Sequence, residues 1–114
     1  MNLLKKRCVP CEGGAKPLSA TEAKRYLKQL DAWKLAKNKI QKQLVFRDFI
    51  ELIKFANKMA ALAEKEGHHP DFCVHYNRLD TEIWTHAVGG LSENDFILAA
   101  KIDRLHNKFK KQQG

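Results

Sequence analysis

The chain has 114 residues, of which 30% are charged and 44% hydrophobic, a composition typical of one globular domain rather than a disordered segment. No run approaches the ~20 apolar residues that a membrane-spanning helix needs, and the basic start Met1–Arg7 has no apolar stretch behind it to form a secretion signal. The net charge of +8 favours acidic partners. Because the basic residues are spread along the chain, we expect neither a nucleic-acid nor a membrane partner.

The N-terminal residues carry two of the three cysteines, Cys8 and Cys11, and the third is Cys73. An odd number of cysteines without a secretion signal indicates reduced thiols and a cytoplasmic protein. The lone C-x-x-C could serve redox or metal chemistry, or lie in an arm folded onto the domain. We expect residues 1–18 to form an irregular N-terminal arm, 19–110 a single domain and 111–114 a basic, polar tail.

Helix-start signals divide this domain into three helical segments. A capping box at Ser19–Glu22 predicts the first helix. Asp48, with a glutamate three residues later, predicts the second, which Gly67 should end because glycine tolerates the left-handed conformation. Ser92–Asp95 predicts the start of the last helix.

Four apolar or alternating segments predict β-strands, at Trp33–Ala36, Lys39–Phe46, Phe72–Tyr76 and Leu79–Thr85. The order α-β-β-α-β-β-α predicts an α+β fold, with a four-stranded antiparallel sheet and helices packed on one face. The open edges of such a sheet invite pairing with another copy.

The second hairpin is expected to turn at Asn77–Arg78. In that register Phe72 faces Ile83, and the apolar set that includes Phe72, Val74 and Tyr76 should lie under the helices. Continued further, the register brings His69 opposite His86.

Three histidines, His68, His69 and His86, are therefore expected near one corner. Pro70 pushes His69 out of the helical conformation and leaves His68 at the helix end, where a protonated imidazole is favoured. Glu64 lies one helical turn before His68. The spacing predicts a pocket of three imidazoles and one carboxylate.

Two chemistries suit such a pocket. Histidine exchanges protons near neutral pH, since its ordinary pKa is about 6.5, and three histidines can also hold a zinc ion. Neighbouring side chains at His68 and His69 diverge, so proton transfer is favoured over metal binding. Of the other histidines, we expect His75 to pair with Asp80 and His106 to be solvated.

Four segments resemble pterin-4a-carbinolamine dehydratase: Glu64–Pro70 with its E-K-E-G-H-H-P sequence, Tyr76–Asn77, Trp84–His86 and Gly90–Asp95. The eighteen-residue step from His68 to His86 agrees with that family. The resemblance runs from about Leu18 to Leu105, and the Cys-Val-Pro-Cys arm resembles that of bacterial and organellar members.

The resemblance implies dehydration of 4a-hydroxytetrahydropterin to quinonoid dihydropterin, which recycles the cofactor of aromatic amino-acid hydroxylases. The pterin is the substrate, and neither a metal nor an organic cofactor is implied. Family members are homodimers or homotetramers that extend the sheet across the subunit boundary, so we expect contacts through a sheet edge and helices. The alternative is a non-enzymatic dimeric binding or regulatory module that uses the same fold.

By the same resemblance, His68, His69 and His86 are the catalytic set. We expect His68 and His86 to transfer protons and His69 to orient the pterin. The substrate-binding or supporting residues are expected to be Glu64, Pro70, Trp84, Thr85 and Asp95. For Asp95 a helix-capping role is the alternative.

Overall fold

The computed structural model describes residues 2–9 and 16–113. Its elements, in chain order, are a 3-10 turn (Leu3–Lys5), α1 (Ala20–Leu27), β1 (Lys34–Ala36), β2 (Lys39–Val45), α2 (Phe49–Glu66), β3 (Asp71–His75), β4 (Arg78–Ile83), a second 3-10 turn (His86–Val88) and α3 (Glu93–Gln113). The predicted order of helices and strands is confirmed. No helix in these ranges is long and apolar enough to cross a membrane.

The four strands form one antiparallel sheet in the order β1-β2-β4-β3. One face is packed against the helices, because the alternate residues of the two central strands are apolar and fully buried: Ile40, Leu44, Leu79 and Ile83. The opposite face carries polar side chains, among them Gln41, Asp80 and Glu82, along an open groove of about 640 Å³. The predicted α+β architecture is therefore confirmed.

The helix ends follow the predicted capping residues. Ser19 and Glu22 form the reciprocal capping box of α1, and the Asp48 side chain accepts a hydrogen bond from the Glu51 N–H at the start of α2. Gly67 ends α2 in the left-handed conformation, with φ of 67°. The residue after this glycine is His68, the first histidine of the candidate site, which lies just beyond the end of the helix.

The turn of the second hairpin differs from the prediction. It is formed by Tyr76 and Asn77, with Tyr76 at φ of 54°, and Arg78 already belongs to β4. The Asn77 side-chain amide donates to the Phe46 carbonyl at 3.0 Å, and the Phe46 N–H donates to the Asn77 carbonyl at 2.8 Å. These bonds to the end of β2 fix the turn one residue earlier than sequence reasoning placed it.

Because the turn comes one residue earlier than predicted, β3 also pairs with β4 in a different register from the predicted one. Phe72 faces Thr81 rather than Ile83, so the predicted pairing was wrong by two residues, although such a shift keeps each side chain on its predicted face. β3 begins at Asp71 and β4 ends at Ile83. His69 and His86 therefore lie outside the ladder, and their predicted pairing was also wrong.

The apolar face of β3 is not under the helices, contrary to the prediction. Phe72 is 43% exposed, Val74 36% and Tyr76 66%, whereas Thr81 of the neighbouring β4 is buried. The helices cover the central strands and stop short of this edge strand.

The two ends of the chain are more ordered than we expected. Leu3, in the predicted irregular arm, is buried against the core within a 3-10 turn. α3 continues to Gln113, so residues 111–113 extend the helix instead of forming a separate tail. Cys11, and with it the predicted C-x-x-C pair as a unit, lies outside the described residues.

Candidate active site

The candidate site starts where α2 ends. The His68 N–H donates to the Ala63 carbonyl at 3.2 Å, which closes the last turn of the helix around Gly67. Pro70 follows two residues later, and β3 begins directly after it. His68 is thus held at the C-terminus of the helix by backbone bonds, as the sequence predicted.

A fully buried carboxylate, that of Asp95, receives the His68 side chain. His68 Nε2 lies 2.6 Å from Asp95 Oδ1. The Thr85 hydroxyl donates to both Asp95 oxygens, at 3.0 and 2.9 Å, and the Ser92 N–H donates to Oδ2 at 2.8 Å. Asp95 therefore joins the end of α2, the segment after β4 and the start of α3.

The hydrogen-bond directions around Asp95 indicate which nitrogen of a neutral His68 ring carries the hydrogen. The single hydroxyl hydrogen of Thr85 goes to Asp95, so the Ser92 hydroxyl, 2.8 Å away, donates to Thr85. Because the Asp95 carboxylate acts as an acceptor, the hydrogen of a neutral His68 ring lies on Nε2, and Nδ1 is the ring nitrogen that can take up a proton. The His68 side chain is 13% exposed.

His69 has a different partner. Its Nε2 is hydrogen-bonded to Glu64 Oε2, on the last part of α2. Both side chains are exposed, by 59% and 77%. Glu64 therefore contacts His69 and not His68, which sequence reasoning had placed one helical turn away.

His86 begins the second 3-10 turn and is exposed. Its ring packs against Trp84 with 3.8 Å between centroids and 32° between the ring planes, and Trp84 Nε1 donates to Asp71 at 3.2 Å. Paired backbone bonds between Thr85 and Gly90 close the loop that carries His86. The Trp84 ring and this closed loop fix the position of the histidine.

The structure thus brings His68, Thr85 and Asp95 into one cluster, and places His86 next to it in the chain. In residues 2–9 and 16–113, no hydrogen bond or ring contact joins the imidazoles of His68, His69 and His86 to one another. In the same ranges, no three His, Cys, Asp or Glu residues are arranged to hold a metal ion. A common cleft for the three imidazoles stays a prediction.

Of the predictions for the two remaining histidines, one is confirmed and one is wrong. His75 Nε2 lies 3.3 Å from Asp80 Oδ2 on the open face of the sheet, as predicted. His106, predicted to be solvated, is buried with its ring centroid 5.4 Å from those of both Phe46 and Phe55. It faces the core because the apolar stripe of α3 includes its position.

Burial lowers the pKa of His106 to about 4, and the nearby positive charges of Lys110 and Lys42 act in the same direction. His106 is therefore neutral at physiological pH and has no part in the candidate site.

Sequence reasoning missed the part that Ser92 plays at this site. The Ser92 hydroxyl and amide both take part in the hydrogen bonds around Asp95. The signal was the S-x-x-D capping pattern, which was interpreted only as a helix start. The Asp95 carboxylate accepts from the Ser92 N–H at the helix N-terminus, as the capping alternative predicted, and it also contacts His68; its role in supporting the substrate site stays a prediction.

The family model described as "Pterin 4 alpha carbinolamine dehydratase" matches residues 16–105. Relatives named "Putative pterin-4-alpha-carbinolamine dehydratase" include one from Nitrosomonas eutropha, 48% identical over 105 residues that cover 91% of this chain and 93% of the relative. Another, from Rickettsia bellii, is 48% identical over 108 residues, covering 93% and 96%.

Two solved structures have the same fold. The crystal structure of a "transcriptional coactivator/pterin dehydratase" from Brucella melitensis has a TM-score of 0.75 and 32% identity, covering 79% of this chain and 98% of that one. A "pterin dehydratase-like protein", described as a RuBisCO assembly factor in the α-carboxysome, has a TM-score of 0.56 and 23% identity, covering 66% and 89%, and shows likeness of fold alone. The matched range includes the whole Asp95 cluster, and the chain belongs to the pterin-4a-carbinolamine dehydratase family.

Proposed function

We propose that this protein dehydrates 4a-hydroxytetrahydropterin to quinonoid dihydropterin, with His68, His69 and His86 as the catalytic set. The observation that carries the proposal is the 2.6 Å contact between His68 Nε2 and the buried Asp95 carboxylate. A carboxylate that holds one ring nitrogen orients the imidazole and stabilises its protonated form, which suits general acid–base catalysis. Family membership supplies the substrate class.

The reaction removes one molecule of water. An acid donates a proton to the 4a hydroxyl as the carbon–oxygen bond breaks, and a base takes a proton from a ring nitrogen, whose electron pair forms the new C=N bond. Protons balance and no electrons are gained or lost. The step calls for no oxidant or reductant, and we propose that the pterin binds as substrate without a metal or organic cofactor.

We assign the proton transfers to His68 and His86 and the orientation of the pterin to His69. Contacts of the supporting residues favour this division. Asp95 and Thr85 hold His68, Glu64 holds His69, which directly precedes Pro70, and the Trp84 ring holds His86. Each of the three imidazoles therefore has its own positioning partner.

The test is the decay of 4a-hydroxytetrahydropterin, followed by absorbance against the spontaneous rate. We expect His68→Ala and His86→Ala each to lose about 10²-fold or more of the catalysed rate, the range typical of positioned acid–base groups. His75→Ala is the matched control, since this histidine pairs with Asp80 on the open face of the sheet. Wild-type protein that leaves the decay unchanged would refute the proposal, and an equal loss in His75→Ala would refute the assignment of residues.

We further propose that this reaction recycles the pterin cofactor of aromatic amino-acid hydroxylases in the cytoplasm. Adding the protein to a hydroxylase assay with limiting pterin should then raise the steady-state rate. His68→Ala should remove this gain, and a gain that persists in this variant would contradict the role.

The exposed edge of β3 supports a homodimer, or a homotetramer built from it through the helices. All five residues of this strand are exposed, including the apolar Phe72 and Val74 on one face. We expect wild-type protein to sediment as a dimer or tetramer and Phe72→Lys to sediment as a monomer. Val45→Lys is the control, because Val45 is exposed on a central strand. A wild-type monomer at high concentration would contradict this arrangement.

The same exposed edge favours the second candidate, a non-enzymatic binding or regulatory module. The Brucella melitensis protein is called a transcriptional coactivator as well as a pterin dehydratase. A stable complex with a different protein, lost in Phe72→Lys, together with no turnover above spontaneous decay, would favour this candidate over the dehydratase.

A further inference from the structure

The N-terminal arm is bonded to both of the helix ends that carry the His68–Asp95 pair. We refer to its segment Lys6–Val9 as the strap. The Cys8 N–H donates to Glu66 Oε1 at 3.1 Å. The Val9 N–H donates to Asn94 Oδ1 at 3.0 Å, and Asn94 Nδ2 donates back to the Val9 carbonyl at 2.6 Å. Two consecutive strap residues thus contact two different helices.

The two receiving residues lie next to the candidate catalytic groups. Glu66 is the last residue of α2, and only Gly67 separates it from His68. Asn94 directly precedes Asp95 in α3. Displacement of either receiving residue would therefore be passed through one or two residues of backbone to the His68–Asp95 hydrogen bond.

Glu66, which accepts from the Cys8 amide, lies in a buried ion pair. The Glu66 and Lys101 side chains are 6% and 8% exposed and form an ion pair of 2.8 Å. Although burial raises the pKa of Glu66, hydrogen bonds from Lys101 and from the Cys8 amide lower it more, so that it lies below its ordinary value. Glu66 is thus an anionic acceptor with one oxygen for α3 and the other for the strap.

The Cys8 thiol is a packing group rather than a reactive one. Burial, together with the negative charge of Glu66, raises the pKa of Cys8 to about 12, so the thiol stays protonated at neutral pH. It donates to the Asn94 carbonyl at 3.5 Å. A further attachment of the strap comes from Lys6, whose ammonium lies 2.9 Å from Glu93 Oε2.

From these contacts we propose that the strap positions the catalytic pair: it fixes the end of α2 against the start of α3 and thereby sets the His68–Asp95 geometry. Glu66 and Asn94 are positioning residues that act through the backbone and do not contact substrate. The catalytic consequence rests on the dehydratase function proposed above. A misplacement of about 1 Å can cost on the order of 10²-fold in rate, so a partial release of the strap should be measurable.

The first test compares two substitutions in the full-length protein. Cys8→Pro removes the amide hydrogen that bonds Glu66, whereas Cys8→Ala removes only the thiol. We expect Cys8→Pro to lower kcat about tenfold, from a displacement of a fraction of an ångström, with KM changed less than about twofold because the pterin contacts are intact. Cys8→Ala should stay within about twofold of wild type. Equal losses in both variants would refute the role of the amide.

A second pair of variants tests the side-chain oxygen that accepts from the Cys8 amide, in a background without the Glu66 and Lys101 charges. Glu66→Gln/Lys101→Met keeps a side-chain oxygen for the Cys8 amide, and Glu66→Leu/Lys101→Met does not. Both double variants avoid an unpaired buried charge, and thermal unfolding checks that each is folded. Only the leucine double variant should show the kcat loss. Equal kcat in the two folded double variants would refute the proposal.

A readout independent of turnover separates this proposal from the proposed function. The NMR chemical shifts of the His68 ring nitrogens should change in Cys8→Pro and stay the same in Cys8→Ala, because the contact of Nε2 with Asp95 depends on the strap. If wild-type protein has no dehydratase activity and these shifts still change in Cys8→Pro, the proposed function fails and the positioning role stands. Unchanged ring-nitrogen shifts in folded Cys8→Pro would refute the positioning role of the strap.

Discussion

His68 and His106 are both shielded from solvent, and they differ in what meets the ring. His68 Nε2 is 2.6 Å from a buried carboxylate. His106 lies between the rings of Phe46 and Phe55, and its Nε2 has no hydrogen-bond partner among the described residues. Burial by apolar rings lowers the pKa of His106 to about 4 and so keeps the ring neutral, whereas a carboxylate partner supports a protonated imidazole. For a histidine ring that is shielded from solvent, the presence or absence of a carboxylate partner decides whether the ring can exchange protons near neutral pH.

Removing the carboxylate should have the largest effect. Asp95→Asn keeps the shape of the side chain but removes its negative charge and replaces one acceptor oxygen with an NH2 donor, so His68 loses its anionic partner. We expect the catalysed decay of the 4a-hydroxypterin to fall by about 10²–10⁴-fold. Asp80→Asn is the control, because it alters the partner of His75 in the same way on the open face. Activity retained in Asp95→Asn would remove the distinction drawn between His68 and His106.

The next largest effect concerns His106 and acid stability. Its folded pKa of about 4 lies below the ordinary 6.5, so its contribution is present in full above pH 6.5 and is lost as the pH falls towards 4. That loss approaches about 3 kcal/mol of unfolding free energy. His106→Leu should be free of it, so the stability difference between variant and wild type should change between pH 7.5 and 4.5 in urea unfolding. A constant difference would show that His106 does not titrate in this way.

A smaller effect is expected where α2 ends before His68. Gly67 has φ of 67°, and apart from its own chain neighbours no described residue has an atom within 4 Å of the position that a Cβ would occupy. Gly67→Ala should therefore cost about 1 kcal/mol through backbone strain alone. Gly67→Asn should cost less, because asparagine tolerates this conformation better. Thermal unfolding measures both, and equal costs would point to a cause other than φ.

The smallest effect is expected for the exposed pair of His69 and Glu64. Because both side chains are mostly in solvent, His69→Ala should change the unfolding free energy by less than about 1 kcal/mol. His68→Ala leaves Asp95 short of one buried partner and should cost more, about 1–3 kcal/mol. Chemical denaturation of the two variants compares them directly, and the reverse order would contradict the assigned burial of the Asp95 cluster.

Features that depend on local sequence were predicted well. The capping residues Ser19 and Asp48, the helix end at Gly67 and the apolar face of β2 all follow from periodicity and from the chemistry of helix ends. The family motif, which consists of four short segments, led to the correct family. Each of the helix and strand signals lies within one turn or one strand of the residue that it explains.

Features that depend on distant contacts were not predicted. The hairpin register failed because Asn77 bonds to Phe46, which is 31 residues away. The burial of His106 depends on how α3 packs against the sheet and α2, and the ion pair of Glu66 with Lys101 spans 35 residues. The spacing of residues along the chain does not predict such contacts, because they depend on how whole helices and strands pack against one another.

Glu93, Asn94 and Asp95 at the start of α3 are consecutive, yet each holds a different part of the chain: Lys6 and Tyr26, the Val9 backbone, and His68 with Thr85, respectively. Successive helical residues point about 100° apart. Inserting or deleting a single residue here would rotate all three side chains away from their partners together. Length variation should therefore be tolerated elsewhere in the chain sooner than at this first helical turn, where one register serves the arm, the first helix and the histidine.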